Sequence, residues 1–243
     1  MNVFILEGKN DAIFLMQLLN KHFKFEDSPV FIDKGNYRKG INNLRCILLN
    51  KSKYNFYKTN YGFIIYGDNG KQNVVQKVLP RLVQDTFGKI SEELKFLIIL
   101  DQNGESKKDI MTKIRNNVIK KLVNIPYANL EESEDNILYI YSEKDPQYRI
   151  IVQLLFLVPM SLEAQLRKKC LEKLKKEVSR CQKDKLLQKE PHEALDELAQ
   201  LMGINMDELI RKSVIEGWFN NETWYITLLE KISQICNFTK ISN

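Results

Sequence analysis

Val3-Phe4-Ile5-Leu6-Glu7-Gly8-Lys9-Asn10-Asp11 opens the chain with an unbroken apolar run that stops at an acid followed by glycine. A second run of the same design, Phe96-Leu97-Ile98-Ile99-Leu100-Asp101-Gln102-Asn103-Gly104, lies further along. Apolar runs without alternation read as strands buried on both faces, as in a parallel sheet covered by helices. Ligands of such sheets gather beyond the carboxyl ends of the strands. If the two strands are neighbours, Glu7 and Asp101 emerge at one rim. Two carboxylates there suit a hard divalent cation such as Mg²⁺ or Mn²⁺, which takes oxygen ligands.

Working outward, Asn10 is expected to cap a helix carrying Ala12, Leu15, Met16, Leu19 and Phe23 on one face. Pro29 to Asp33 and Phe63 to Tyr66 read as strands, and Arg45 to Asn50 fits either a helix or a strand. A helical pattern through Val75, Val78, Leu79 and Leu82 is expected to kink or restart at Pro80. Ser106 caps a helix whose inner face is Ile110, Met111, Ile114, Val118 and Leu122. Glu131 to Asp135 reads as an acidic loop, and Ile137 to Tyr141 and Ile150 to Val158 as further strands. Strands separated by helical patterns imply right-handed crossovers and a mostly parallel sheet.

After Ser161 nothing strand-like follows. Leu162, Leu166, Cys170, Leu174, Val178 and Cys181 form the stripe of one long helix, with shorter helices near Glu193–Leu201, Met206–Glu216 and Glu222–Ile235. Asn205 with Glu208 forms a capping-box pattern. The expected architecture is an α/β domain over residues 1–160, a mostly parallel sheet flanked by helices, with a helical C-terminal appendage over 161–243.

Composition sets bounds on function. At 243 residues, 44% hydrophobic and 28% charged, the sequence is that of a globular protein. The apolar start meets Glu7 at once, and Ile150 to Met160 is far shorter than the ~20 residues of a membrane span. A cytoplasmic protein without a membrane partner is expected. Cys46, Cys170, Cys181 and Cys236 are scattered with no CxxC pair, so free thiols are expected rather than a zinc site or disulfides. Trp218 and Trp224 sit among helical apolar residues and read as core.

The net charge is +6, and its distribution is uneven. From Lys34 to Gly67 there is no acid, while Lys34, Arg38, Lys39, Arg45, Lys51, Lys53 and Lys58 are interleaved with Tyr37, Tyr54, Phe56, Tyr57 and Tyr61. Cations neutralise phosphates and aromatic faces stack on unpaired bases, so Arg38, Lys39, Lys51 and Lys53 are candidate nucleic-acid contacts. A solvated loop anchored by its aromatics is the alternative. Lys9 and Lys71 follow strand ends and are candidate phosphate ligands near the rim. Gly67-Asp68-Asn69-Gly70-Lys71 lacks the spacing of a P-loop, and Gln72 stands where its hydroxyl residue belongs. The segment Ser161 to Glu190 carries ten Lys or Arg against five Asp or Glu, which fits a basic groove or simply a solvated helix face.

Glu7-Gly8-Lys9-Asn10-Asp11 after a strand, Phe63-Ile64-Ile65-Tyr66-Gly67, Asp101-Gln102-Asn103 and Phe156-Leu157-Val158-Pro159-Met160-Ser161-Leu162-Glu163 follow one another in an order that resembles the TOPRIM domain. That family includes topoisomerases, primases and OLD-family nucleases. The resemblance covers roughly the first two-thirds of the chain. It implies Glu7 as the acid/base and Asp101 as the main Mg²⁺ (or Mn²⁺) ligand, with Glu7 also at the metal. Asn103 stands where the family has a second aspartate; its amide oxygen is a legitimate but uncharged ligand, and Glu105 is a candidate source of the missing charge. Glu163, after the late strand, is a further candidate at the rim. The activity implied is metal-dependent phosphoryl transfer on DNA or RNA, as in a nuclease. The alternatives are a nucleic-acid-binding module with a degenerate metal site and a doubly wound domain that binds a small nucleotide or regulates a partner.

Overall fold

A computed structural model describes residues 1–23, 30–32, 63–67, 70–90, 93–125, 127–174 and 178–238. Its centre is a seven-stranded sheet: β1 (Asn2–Leu6), β2 (Val30–Ile32), β3 (Phe63–Gly67), β4 (Leu94–Leu100), β5 (Ala128–Glu132), β6 (Ile137–Ser142) and β7 (Arg149–Phe156). The order across the sheet is β2-β3-β1-β4-β7-β6-β5. The first five in that order run parallel, and β6 and β5 close the far edge antiparallel. β1 and β4 are direct neighbours, with Leu6 opposite Ile99. Both apolar runs therefore end at the same rim, as the sequence led one to expect.

Eight helices complete the described chain: α1 (Lys9–His22), α2, α3 (Lys107–Leu122), α4 (Leu162–Lys173), α5 (Arg180–Gln188), α6 (Pro191–Leu201), α7 (Met206–Ile215) and α8 (Thr223–Cys236). α2 combines Lys71–Asn73, a π-helical stretch Val74–Val78, and Leu79–Thr86. Pro80 opens the last piece. It has no N–H to donate and its ring crowds the carbonyl four residues back, so the wide turn just upstream absorbs the mismatch.

Each face of the sheet has its own core. Val3, Ile5, Phe96, Ile98 and Leu100 pack with α2 and α3, while Phe4, Leu6, Leu97 and Ile99 pack with α1 and all of α4 to α8. Alternate residues of one strand thus feed opposite layers, which is why β1 and β4 read as continuous apolar runs. β6 instead alternates, with Leu138 and Ile140 buried and the residues between them half-buried.

The C-terminal helices share this second core with α1. Phe14 lies 5.8 Å from Phe219 and 6.2 Å from both Trp224 and Tyr225, measured between ring centroids. Lys21 Nζ donates to the Val214 carbonyl at 2.6 Å. Trp218 is 7% exposed, and its indole N–H donates to Glu216.

Several local expectations need correction. The N-cap of α1 is Gly8 rather than Asn10, leaving the Asn10 side chain for other work. The acidic loop is shorter than expected, since Glu131 and Glu132 belong to β5 and only Ser133 to Asp135 lie in the turn. The long helix after Ser161 is two helices, and Ser179 with Gln182 forms a reciprocal capping box that starts α5. The Asn205–Glu208 capping box at α7 is present as expected. Cys170, Cys181 and Cys236 carry free thiols. Among the described residues no helix is long and apolar enough to cross a membrane. Cys46 and the segment Lys34 to Lys58, with Arg38, Lys39, Lys51 and Lys53, lie outside the described residues.

Candidate functional site

The strand register dictates the site. Leu6 is flanked by Gly67 on β3 and Ile99 on β4, so the residues that follow β1 and β4 meet at the carboxyl rim. The backbone N–H of Asp101 donates to Glu7 Oε1 at 2.8 Å. Glu7 in turn offers its backbone carbonyl to the Gly70 N–H at 2.8 Å, which fastens the start of α2 to the same rim. A Cβ added at Gly67 would stand 2.7 Å from the Gly8 carbonyl oxygen. Glycine is required there because β3 and the turn after β1 touch backbone to backbone.

Four carboxylates surround this rim. Asp101 is 6% exposed and Asp11, on the first turn of α1, is 7% exposed. Asp101 Oδ2 accepts the Leu162 N–H at 3.1 Å, the first amide of α4, where the positive end of the helix dipole favours an anion. Asp101 Oδ1 is buried and has no hydrogen-bond partner. Glu163, one residue along α4, accepts from Asn10 Nδ2 at 3.3 Å. The Ser161 hydroxyl caps α4 through Ala164 N–H and so fixes that end of the helix.

Mutual repulsion in a buried setting shows in the proton affinities. Burial, then the charge of Glu7, pushes Asp101 up to about 8. Burial lifts Asp11 well above the usual carboxylate range, with Asp101, Glu163 and Glu7 adding to the effect. Glu7 is also raised, chiefly by burial, against the opposing pull of the Asp101 amide and Lys71. A buried cluster that resists carrying all its negative charge is one that gains from a cation.

Lys71 supplies part of that compensation. Its Nζ donates to the Asp101 carbonyl at 3.1 Å and pairs with Glu105. Lys113 also reaches Glu105, at 3.2 Å, and the two lysines hold the Glu105 carboxyl below its ordinary range. The Glu105 side chain thus turns to Lys71. Lys9, the other candidate phosphate ligand, pairs with Asp207 at 2.8 Å.

Asn103 occupies a different position. It is exposed and adopts a left-handed φ of 47°, followed by Gly104 at 77°. Asparagine is among the few residues that accept this conformation readily, so the turn between β4 and α3 accounts for it without a ligand. Asp11 closes the first quoted motif but was not among the expected site residues; the docking of α1 buries it at this rim.

The donor chemistry fits a hard divalent cation in charge, oxygen content and burial, Asp101 Oδ1 being buried and unpartnered. Yet among the described residues no three His, Cys, Asp or Glu side chains already stand close enough to hold one ion together. No protein family, curated protein or solved structure matches the chain. The TOPRIM resemblance therefore rests on the quoted motifs and their order.

Proposed function

We propose that the chain is a TOPRIM-like, metal-dependent phosphoryl-transfer protein acting on nucleic acid, in the manner of a nuclease. The observation that carries this reading is the buried, unpartnered Asp101 Oδ1 amid Glu7, Asp11 and Glu163 at the carboxyl rim of a parallel sheet. Asp101, Asp11 and Glu163 are the residues to hold Mg²⁺ or Mn²⁺, together with Glu7. When bound, the ion neutralises charge on phosphate oxygens and lowers the pKa of a water.

The chain's own groups supply the rest. Glu7 moves a proton at its carboxylate, in a setting that raises its affinity for one. Lys71, steadied by Glu105, stands beside Asp101 and presents a cation to the phosphate. Leu162 N–H holds Asp101 in orientation.

Calorimetric titration with Mn²⁺, paired with cleavage assays on single- and double-stranded DNA and RNA, tests the reading. Wild type is expected to bind Mn²⁺ and to cleave only in its presence, and Asp101→Asn to lose both. Binding of nucleic acid without cleavage at any Mn²⁺ concentration would instead favour a non-catalytic module with a degenerate metal site.

A further inference from the structure

The outer edge of the sheet carries features that the rim chemistry does not use. β5 ends the strand order, and among the described residues no strand pairs along its outer side. Ser133 N–H donates to the Ile137 carbonyl at 2.9 Å, and Ser133 stands opposite Ile137 in continuation of the β5–β6 register. Bonded pairs alternate in an antiparallel ladder, so Glu131 and Asn129 bond to β6. Leu130 and Glu132 therefore turn their backbone N–H and C=O groups outward. Ala128 agrees with this phase: its N–H turns away from β6, to the Ile125 carbonyl at 3.0 Å.

A free edge of this kind invites another strand unless charge protects it. Here both edge acids are already engaged within the chain. Glu132 pairs with Arg115 at 3.5 Å, and Glu131 accepts from the Tyr141 hydroxyl. Beside the edge lies a groove of about 370 Å³ lined by Arg115 and by apolar residues including Ile119, Val123, Ile125 and Leu130. Val123 on its lip is 73% exposed.

We propose that two copies of the chain associate through antiparallel pairing of β5 with β5, about a two-fold axis at Leu130. In that register Leu130 exchanges N–H···O bonds with its own equivalent. Glu132 N–H meets the Ala128 carbonyl, whose own N–H is already satisfied internally. Glu132 lies opposite Ala128 and Glu131 opposite Asn129, so no like charges face each other. The edge is complementary to itself, which selects a second copy over an unrelated strand. The axis runs perpendicular to the sheet and sets the two α3 layers side by side, with Val123 on the lip of each groove. β5 lies three strands from β4, about 14 Å at ordinary strand spacing, so this surface is independent of the cation at the rim.

A pairing this small falls below about 1,200 Å² of total buried area, the class of weak interfaces. Sedimentation from about 10 µM to about 1 mM protein is expected to show the mass rising from 28.6 kDa toward twice that value. Leu130→Pro removes the outward N–H together with a side chain that packs on the core, and it should hold the protein monomeric across that range. Val123→Lys, which places like charges across the axis, should weaken association at least tenfold. In the wild type, amide exchange at Leu130 and Glu132, but not at Asn129 and Glu131, should slow as concentration rises. A wild type that stays monomeric at the highest concentration overturns the proposal. So does a dimer indifferent to Val123→Lys whose Leu130 and Glu132 amides gain no protection, whether or not Leu130→Pro folds.

Discussion

The backbone amide of Asp101 is bonded to the side chain of Glu7 at 2.8 Å, so the acid that ends β1 is tied to the acid that ends β4. The bond needs only an acceptor oxygen, which glutamine also offers. Glu7→Gln is therefore expected to keep the melting temperature within a few degrees of wild type, since a surviving hydrogen bond leaves less than about 1 kcal/mol at stake. Divalent-dependent cleavage should nonetheless collapse, because the amide cannot take a proton. Thermal melts and a cleavage assay on the same preparation check both halves. Undiminished cleavage would remove Glu7 from the proton-transfer role.

Stability without divalent ions should fall as pH rises. Asp101 binds its proton more tightly folded, near 8, than at its ordinary 3.8. Between these values the folded state holds more protons than the unfolded one, so each rise in pH favours unfolding. The stabilisation is fully present below about pH 4 and is lost as pH passes through 8, and Asp11 acts in the same direction. Denaturant melts in a chelator across this window should show the decline. Asp101→Asn should flatten it, and Mn²⁺ should restore more stability at pH 8 than at pH 5.

Removal of the ring at Phe14 should unsettle α1 and the C-terminal helices together. Phe14→Ala is expected to cost about 3–5 kcal/mol, the usual loss for a buried aromatic truncated to alanine. A chain ending at residue 160 strips from Phe14, Leu15, Leu18 and Leu19 the part of their shared core that α4 to α8 contribute. It should fail to give a cooperative melt. A well-folded fragment of residues 1–160 would show that the appendage is dispensable.

Asn103 separates turn chemistry from ligand chemistry. With its left-handed φ, Asn103→Ala should cost about 1 kcal/mol, while Asn103→Gly should be nearly neutral. Because the side chain is exposed, Asn103→Asp should change Mn²⁺ affinity by no more than about twofold, the charge being screened by solvent. A tightening of about tenfold, roughly 1.4 kcal/mol, would assign Asn103 to the metal after all.

The legible parts of this molecule were those written in local periodicity. The runs Val3–Leu6 and Phe96–Leu100 announced central strands because both their faces are covered, and their shared ending in an acid placed Glu7 and Asp101 at one rim. Lys71 was placed near the rim by its position after β3, but the burial of Asp11 there comes from how α1 docks rather than from spacing. β5 was misread because Leu-Glu-Glu at an edge is half solvated, and a strand with one open side looks like a loop. The stripe from Leu162 to Cys181 kept helical spacing across a break, so periodicity alone ran two helices together.

One amide bond also sets an order of events during synthesis. Asp101 Oδ2 waits for the N–H of Leu162, and the amino end of a chain leaves the ribosome first. The acids of β1 and β4 emerge long before α4 can dock beside them. Until then Asp101 lacks its helix partner, and the face of β1 and β4 that α4 to α8 will cover is bare. A nascent chain therefore carries an unfinished rim, and the chemistry proposed for it waits for the last third to fold. Under the function proposed above, that delay keeps the rim idle beside a translated message.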